Sequence, residues 1–341
     1  MLKRLLVAFG LLAACMIQSA HAQSSVTLYG VIDNSVEYDN GGEGAVVRAE
    51  SSGFYATRWG IKGTEDLGDG LHVNFQLEDG FSAQTGSVSK AGEAFSRMAW
   101  VGMSGGFGEF RMGLQNTIQY VFMNPELDPI GVMSMASPMN DFNSLTIREN
   151  NAISYFTPTI AGVTAQFMVA MRDSATAPTN GFDFYNAALR YVNGPFRAAA
   201  GYEQADDAVG TATLKLLSVG TSMGVGKARF YLAYHIETLS DGSISRAVAE
   251  ASGSYMITPL DKVVLLYGYE HDRTSLGNNA QQIGLNFQHS LSVRTFLYLS
   301  AGFLQNRNTG EFTLNGTGYG GIPVAPGSNT RGVIIGMVHR F

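Results

Sequence analysis

The chain has 341 residues with 41 glycines, 9 prolines, 15 tyrosines, 20 phenylalanines and a single cysteine, and a net charge of −6. That negative balance argues against nucleic acid as a partner, and one cysteine rules out an internal disulfide framework. The surplus of glycine and aromatics over proline suits strands and turns rather than helices.

The opening MLKR carries Lys3 and Arg4, and the apolar LLVAFGLLAACMI that follows is too short to span a bilayer. AHAQ supplies an A-x-A cleavage site, so residues 1–22 read as a secretory signal peptide and residues 23–341 as the mature domain. LAAC, ending at Cys15, also fits a lipoprotein signal, but the strand-like SSVTLYG beginning just after Gln23 leaves no tether and favours cleavage. Removing 1–22 takes away two bases and no acid, leaving 319 residues, no cysteine and a net charge of −8. No apolar run of helix-spanning length follows.

From there the chain alternates. Leu71, Val73, Phe75 and Leu77 share one face of a strand, and His72, Asn74, Gln76 and Glu78 the other. The same pattern recurs from Val163 to Met171, from Tyr185 to Tyr191 and from Ile283 to Phe287. The chain closes in this way too, with Val333, Ile335, Met337, His339 and Phe341 on one face. A period of two with one apolar face marks a half-buried strand. A soluble sandwich would hide those faces against each other, whereas a transmembrane barrel turns them to lipid around a wet lumen. Arg190, Arg197, Arg229, Glu78 and Glu203 fall on the polar faces, aromatics gather near strand ends, and no linker divides the chain. The barrel is therefore favoured.

Short turn signals fall at 66–70, 104–108, 157–162, 193–195, 223–227, 258–262 and 289–292. Longer polar connections fall near 39–53, 83–93, 117–147, 173–182, 205–212, 239–246, 272–279 and 306–329. Strict alternation of short and long gives a 16-stranded antiparallel transmembrane β-barrel, all-β, with short periplasmic turns and long extracellular loops. The first strand, SSVTLYGVID, is expected to pair with the last and leave no edge in hydrocarbon. Phe341 then reads as an anchor at the periplasmic rim.

SSVTLYGVID, TRWGIKGTEDLGDGL, FSRMAWVGMSGGFGEFRMG, RENNAISYFTP and the closing HRF resemble the general diffusion porins of Gram-negative outer membranes, in particular the beta-proteobacterial and neisserial type. The resemblance runs from Ser24 to Phe341. It implies a homotrimer, passive passage of small hydrophilic solutes and ions, and a third loop folded into the lumen as a constriction. Leu114 and Val338 stand where many members carry basic residues, which weakens the expectation of a strongly cationic wall.

The 117–147 segment is too long for a mere link and carries Pro125, Pro129 and Pro138 with few charges, so an ordered, functional loop is expected. Its acids are Glu126, Asp128 and Asp141; Glu126 and Asp128, with Glu78 from the wall, are the candidate acidic side of the pore. Arg58, Arg97 and Arg148 precede their next turns by eight, eight and ten residues, which places them at similar depth. Trp59 and Ile61 beside Arg58, and Met98 and Trp100 beside Arg97, are expected to face lipid and leave the arginines inward. A lipid-facing charge there would cost about 2–4 kcal/mol. Those positions also match the family's constriction arginines.

Arginines facing loop acids would set a transverse field that favours polar solutes, with the balance tipping toward anions. The alternative is a channel preferring small carboxylate or phosphate anions bound at the arginine cluster. An outer-membrane barrel lipase would need an outward Ser and His near the rim, which the sequence does not offer; a purely adhesive barrel would conduct no ions. No cofactor is expected, and the mature histidines lack metal-ligand spacing.

Overall fold

A computed structural model of the chain describes residues 25–121, 127–130, 134–172, 181–207, 210–315 and 321–341. The signal segment with Cys15, loop residue Glu126 and most of 173–182 lie outside the described residues. The strands are β1 (Ser25–Asn40), β2 (Ala45–Ser51), β3 (Arg58–Gly68), β4 (Leu71–Gly80), β5 (Met98–Gly105) and β6 (Gly108–Asn116). After the long loop come β7 (Arg148–Phe156), β8 (Val163–Met171), β9 (Phe182–Asn193), β10 (Phe196–Asp206), β11 (Thr213–Val225) and β12 (Ala228–Leu239). The rest are β13 (Ser245–Met256), β14 (Asp261–Asp272), β15 (Ala280–Ser290), β16 (Thr295–Asn306) and β17 (Thr330–Arg340).

Apart from β2 and β3, which both pair with β1 and not with each other, consecutive strands pair antiparallel, and β1 closes the circle against β17 from Val31↔Arg340 to Asn40↔Arg331. On its other side β1 pairs first with β3, from Ser25↔Thr64 to Val31↔Arg58, and then with β2, from Asn34↔Ser51 to Asn40↔Ala45. β2 and β3 are thus two halves of one stave, and the closed barrel has sixteen staves. The apolar faces read from the sequence point outward: Ile283, Leu285 and Phe287 are exposed, as are Val333, Ile335, Met337 and Phe341. The opposite faces carry buried polar groups such as Asn186, Glu203, His235, Glu250 and Asn286. Among the described residues no helix is long and apolar enough to cross a membrane. The strands make the crossing.

Two of the expected long loops are short. β1 runs to Asn40 and β2 starts at Ala45, so the 39–53 connection shrinks to 41–44, and the 239–246 connection shrinks to 240–244. Polar residues alone did not mark these strand ends, because a lumen-facing half-strand is polar as well.

The break at 52–57 is a knuckle inside the barrel. Asp33 on β1 anchors it: one carboxylate oxygen accepts from the backbone N–H of Phe54 (2.6 Å) and of Tyr55 (2.7 Å), and the other from the Tyr298 hydroxyl (2.9 Å). The Asp33 N–H donates to Thr57 Oγ1 at 3.0 Å, and the Thr57 hydroxyl returns to the Asp33 carbonyl at 3.1 Å. Gly53 sits where a Cβ would lie 2.4 Å from Ile334 Cδ1 and 2.6 Å from the Tyr298 hydroxyl, so a larger residue would have to displace both side chains. At the far end Phe341 exchanges backbone hydrogen bonds with Gly30, 3.1 Å each way, and its ring fills the space a Gly30 Cβ would need.

Asp33→Ala should release Phe54, Tyr55 and Tyr298 together. Losing charge-assisted bonds at a buried carboxylate predicts about 2–4 kcal/mol less stability, which a urea titration of the heat-modifiable gel shift of the folded barrel will measure. Asp33→Asn, which keeps an acceptor, should retain about half.

Candidate functional site: a cavity between the third loop and the arginine wall

The described parts of the 117–147 loop, residues 127–130 and 134–147, dock on inward-facing residues of the wall. Their seats are glycines. A Cβ on Gly220 of β11 would lie 1.8 Å from Leu127 Cδ2, on Gly268 of β14 2.2 Å from Pro138 Cβ, and on Gly284 of β15 1.9 Å from the Ala136 carbonyl oxygen. Gly302 of β16 makes the same room for the Met135 carbonyl oxygen, at 2.5 Å. Polar groups then fix the loop. Ser144 donates from N–H (3.0 Å) and hydroxyl (3.1 Å) to Glu237, the Thr146 N–H donates to Glu203 (2.8 Å), and Gln282 Nε2 donates to the Met135 carbonyl (3.0 Å). A one-turn helix, α1 (Pro138–Asp141), begins with Pro138 and is capped by the Ser137 hydroxyl on the Asn140 N–H at 3.1 Å.

Opposite the docked loop lies the arginine wall. Glu78 on β4, 3% exposed, accepts from Arg97 Nε at 2.7 Å on one oxygen. The other oxygen meets Arg58 Nε at 3.2 Å and the Tyr29 hydroxyl at 2.8 Å. Gln76 Nε2 donates to that hydroxyl in turn, at 2.5 Å. Arg148, at the start of β7, lies within electrostatic range of Arg97, Arg58, Glu78 and Tyr120. A cavity of about 610 Å³ separates this wall from the loop, with Arg58, Glu78 and Arg97 on one side and Pro129, Ile130 and Lys262 on the other. Lys262 Nζ donates to the Pro129 carbonyl at 3.0 Å, tying β14 to the loop.

The sequence-derived residues therefore divide. Arg58, Glu78 and Arg97 are brought together at the cavity, and Arg148 stands next to them. Glu78 stands within the basic wall, paired to two arginines, rather than facing it as an acidic side. Asp128 is a correction: it is 1% exposed and turned into the loop, accepting from the Ile130 N–H at 2.8 Å and from the Ser137 hydroxyl. A loop that leaves bulk solvent satisfies its own amides first, and Asp128 is spent there. Asp141 is buried in α1, and burial holds its carboxyl well above the ordinary carboxylate range.

Strand parity does not set the direction of Arg97. Met98 lines the cavity and Trp100 is buried under the Arg111 guanidinium, 4.4 Å from its ring, while Val101 and Met103 face outward. Arg97 points inward because it precedes β5, where its N–H bonds the Glu78 carbonyl at 3.1 Å and strand alternation has not begun. Sequence reading missed Lys262, the Asp33 knuckle and the glycine seats. The seats left a trace, single glycines inside strands, as in QIGLNF, where a turn does not account for them.

A closed barrel with an apolar exterior, a polar lumen and a charged cavity beside an inserted loop defines a water-filled transmembrane channel. A family model described as Gram-negative porin matches residues 8–309, and the chain belongs to that family. Outer membrane porin protein 32 of Delftia acidovorans is 33% identical over 358 aligned residues that cover 100% of both chains. Major outer membrane protein P.IB of Neisseria meningitidis is 26% identical, covering 88% of this chain and 94% of the relative. Among solved structures, the anion-selective porin from Comamonas acidovorans superposes with a TM-score of 0.80 at 29% identity, over 93% of this chain and all of that one. The trimer form of OmpT from Vibrio cholerae gives 0.73 over 93% of this chain and 99% of that one, at 14% identity, a likeness of fold alone. The protein is an outer-membrane porin, a channel and not an enzyme.

Because Gly284 faces a backbone carbonyl rather than a flexible side chain, Gly284→Val should unseat the loop. Overpacking predicts about 1–3 kcal/mol lower stability together with a changed and noisier single-channel conductance in planar bilayers. Gly106→Ala, in the turn between β5 and β6 where a Cβ would meet nothing within 4 Å, serves as the comparison and should leave conductance steady.

Proposed function

We propose that this porin is a general diffusion channel with a preference for anions, its narrowest passage lying between the arginine wall and the 127–130 stretch of the third loop. One observation carries the reading: among the described residues the charged groups lining the cavity are Arg58, Arg97 and Lys262 against Glu78 alone. Glu78 is engaged by both arginines, so the arginine wall keeps net positive charge, and Lys262 adds a cation on the opposite side, with the buried Asp128 behind it. Arg148 adds to it from beside the cavity. The anion selectivity named for the Comamonas acidovorans porin supports the same direction. A chain-wide charge of −6 does not oppose it, since local charge governs what enters a narrow pore.

The nascent chain is exported through its 1–22 signal and assembles as a homotrimer in outer-membrane lipid, with Phe341 at the periplasmic rim.

Reversal potentials in a KCl gradient test the selectivity. Wild type should favour chloride. A unit charge about 6 Å from a permeating ion in water contributes about 0.7 kcal/mol, roughly threefold in relative permeability. Arg97→Ala and Lys262→Ala should each lower the chloride preference by about that factor. Cation preference in the wild type, or reversal potentials unmoved in both variants, would overturn the assignment.

A further inference from the structure

The knuckle at 52–57 puts aromatic rings into the same cavity. Phe54 and Tyr55 line it together with Arg58, and Tyr29 and Tyr120 add two more rings. The rings are held in place. The Asp33 carboxylate fixes the Phe54 and Tyr55 amides, Phe54 packs edge-on to Tyr55 at 5.0 Å and against Tyr298 at 5.1 Å, and the Arg340 guanidinium lies 4.8 Å over the Tyr55 ring. Tyr55 is half-buried and keeps part of its surface toward the cavity, while Pro129 and Ile130 supply an apolar lining on the loop side. Cations and fixed rings a few residues apart, Tyr55 and Arg58 on one short segment, form a two-part lining of about 610 Å³, within the range of small-ligand sites.

We propose that the pore carries a subsite for aromatic carboxylates, the carboxylate meeting Arg58 and Arg97 and the ring resting against Tyr55 and the Pro129–Ile130 stretch. This deepens the anion-preferring reading and rests on it. Guanidinium groups accept a carboxylate in a planar, bidentate manner, and a ring set against a fixed ring gains more than a saturated group of equal size. An aliphatic anion such as acetate engages only the cationic half. Aromatic monocarboxylates should therefore dwell in the pore and interrupt the passage of chloride, whereas acetate should pass.

The test is block of chloride current through reconstituted wild-type channels by benzoate, cyclohexanecarboxylate and acetate. The ring–ring increment predicts that benzoate half-blocks at a concentration about two- to tenfold lower than cyclohexanecarboxylate, with acetate weaker than both. Tyr55→Leu keeps bulk and drops the ring, so it should erase the difference between benzoate and cyclohexanecarboxylate. Tyr55→Phe should retain the difference, which separates ring loss from a damaged knuckle. If benzoate and cyclohexanecarboxylate block equally in the wild type, or if Tyr55→Leu keeps the discrimination, the subsite is refuted. A chloride-selective wild type with equal block sinks this inference alone, whereas a cation-selective wild type sinks the anion-preferring reading beneath it.

Discussion

A backbone amide surrounded by hydrocarbon has no water to fall back on, so every strand edge must meet another strand. The β1–β17 pairing satisfies that demand for the whole molecule. Its consequences spread through the rest of the structure. Closure forces alternation on every stave, alternation sends one row of side chains to lipid and the next to the lumen, and the lumen becomes a space the protein must furnish with its own polar groups. β1 is the strand under most demand, sharing one side with β17 and the other with β2 and β3 in turn. The interrupted stave is tolerated because residues 52–57 leave the wall toward the lumen, where Asp33 and Thr57 satisfy the freed amides.

The barrel was legible in the sequence because its two selection pressures are both local. Lipid dictates an apolar residue every second position, and turns advertise themselves through glycine, proline and aspartate. The inserted loop was legible as a long, proline-bearing, weakly charged segment. Its destination was not. Where the loop docks depends on missing side chains at Gly220, Gly268, Gly284 and Gly302, strands apart in sequence and aligned only in the folded wall. The arginines stood out in the sequence because an inward charge within a strand is hard to explain otherwise. Asp128 was misread because acid on a loop looks alike whether it faces solvent or closes the loop's own turn. The Arg97 parity argument assumed a strand that begins one residue later.

Charge in the lumen is distributed differently from what the resemblance suggested. Val338, at a position where a basic residue is common among relatives, is fully buried on the inner face of β17 and belongs to the apolar cluster that contains Phe54 and Tyr298. Support for the knuckle thus occupies the place of a charge. Lys262 on β14 supplies a cation across the cavity from the arginines. Glu78 buried among Arg58, Arg97 and Tyr29 is a geometric device as much as an electrostatic one: a carboxylate with donors on both oxygens holds two flexible side chains in fixed places.

The bond from the Tyr298 hydroxyl to Asp33 joins residues 265 positions apart. The Phe54 and Tyr55 bonds to the same carboxylate are near in the chain by comparison, within the first few strands. One side chain thus ties the opening stave to the next-to-last, across the seam where the two ends of the polypeptide meet.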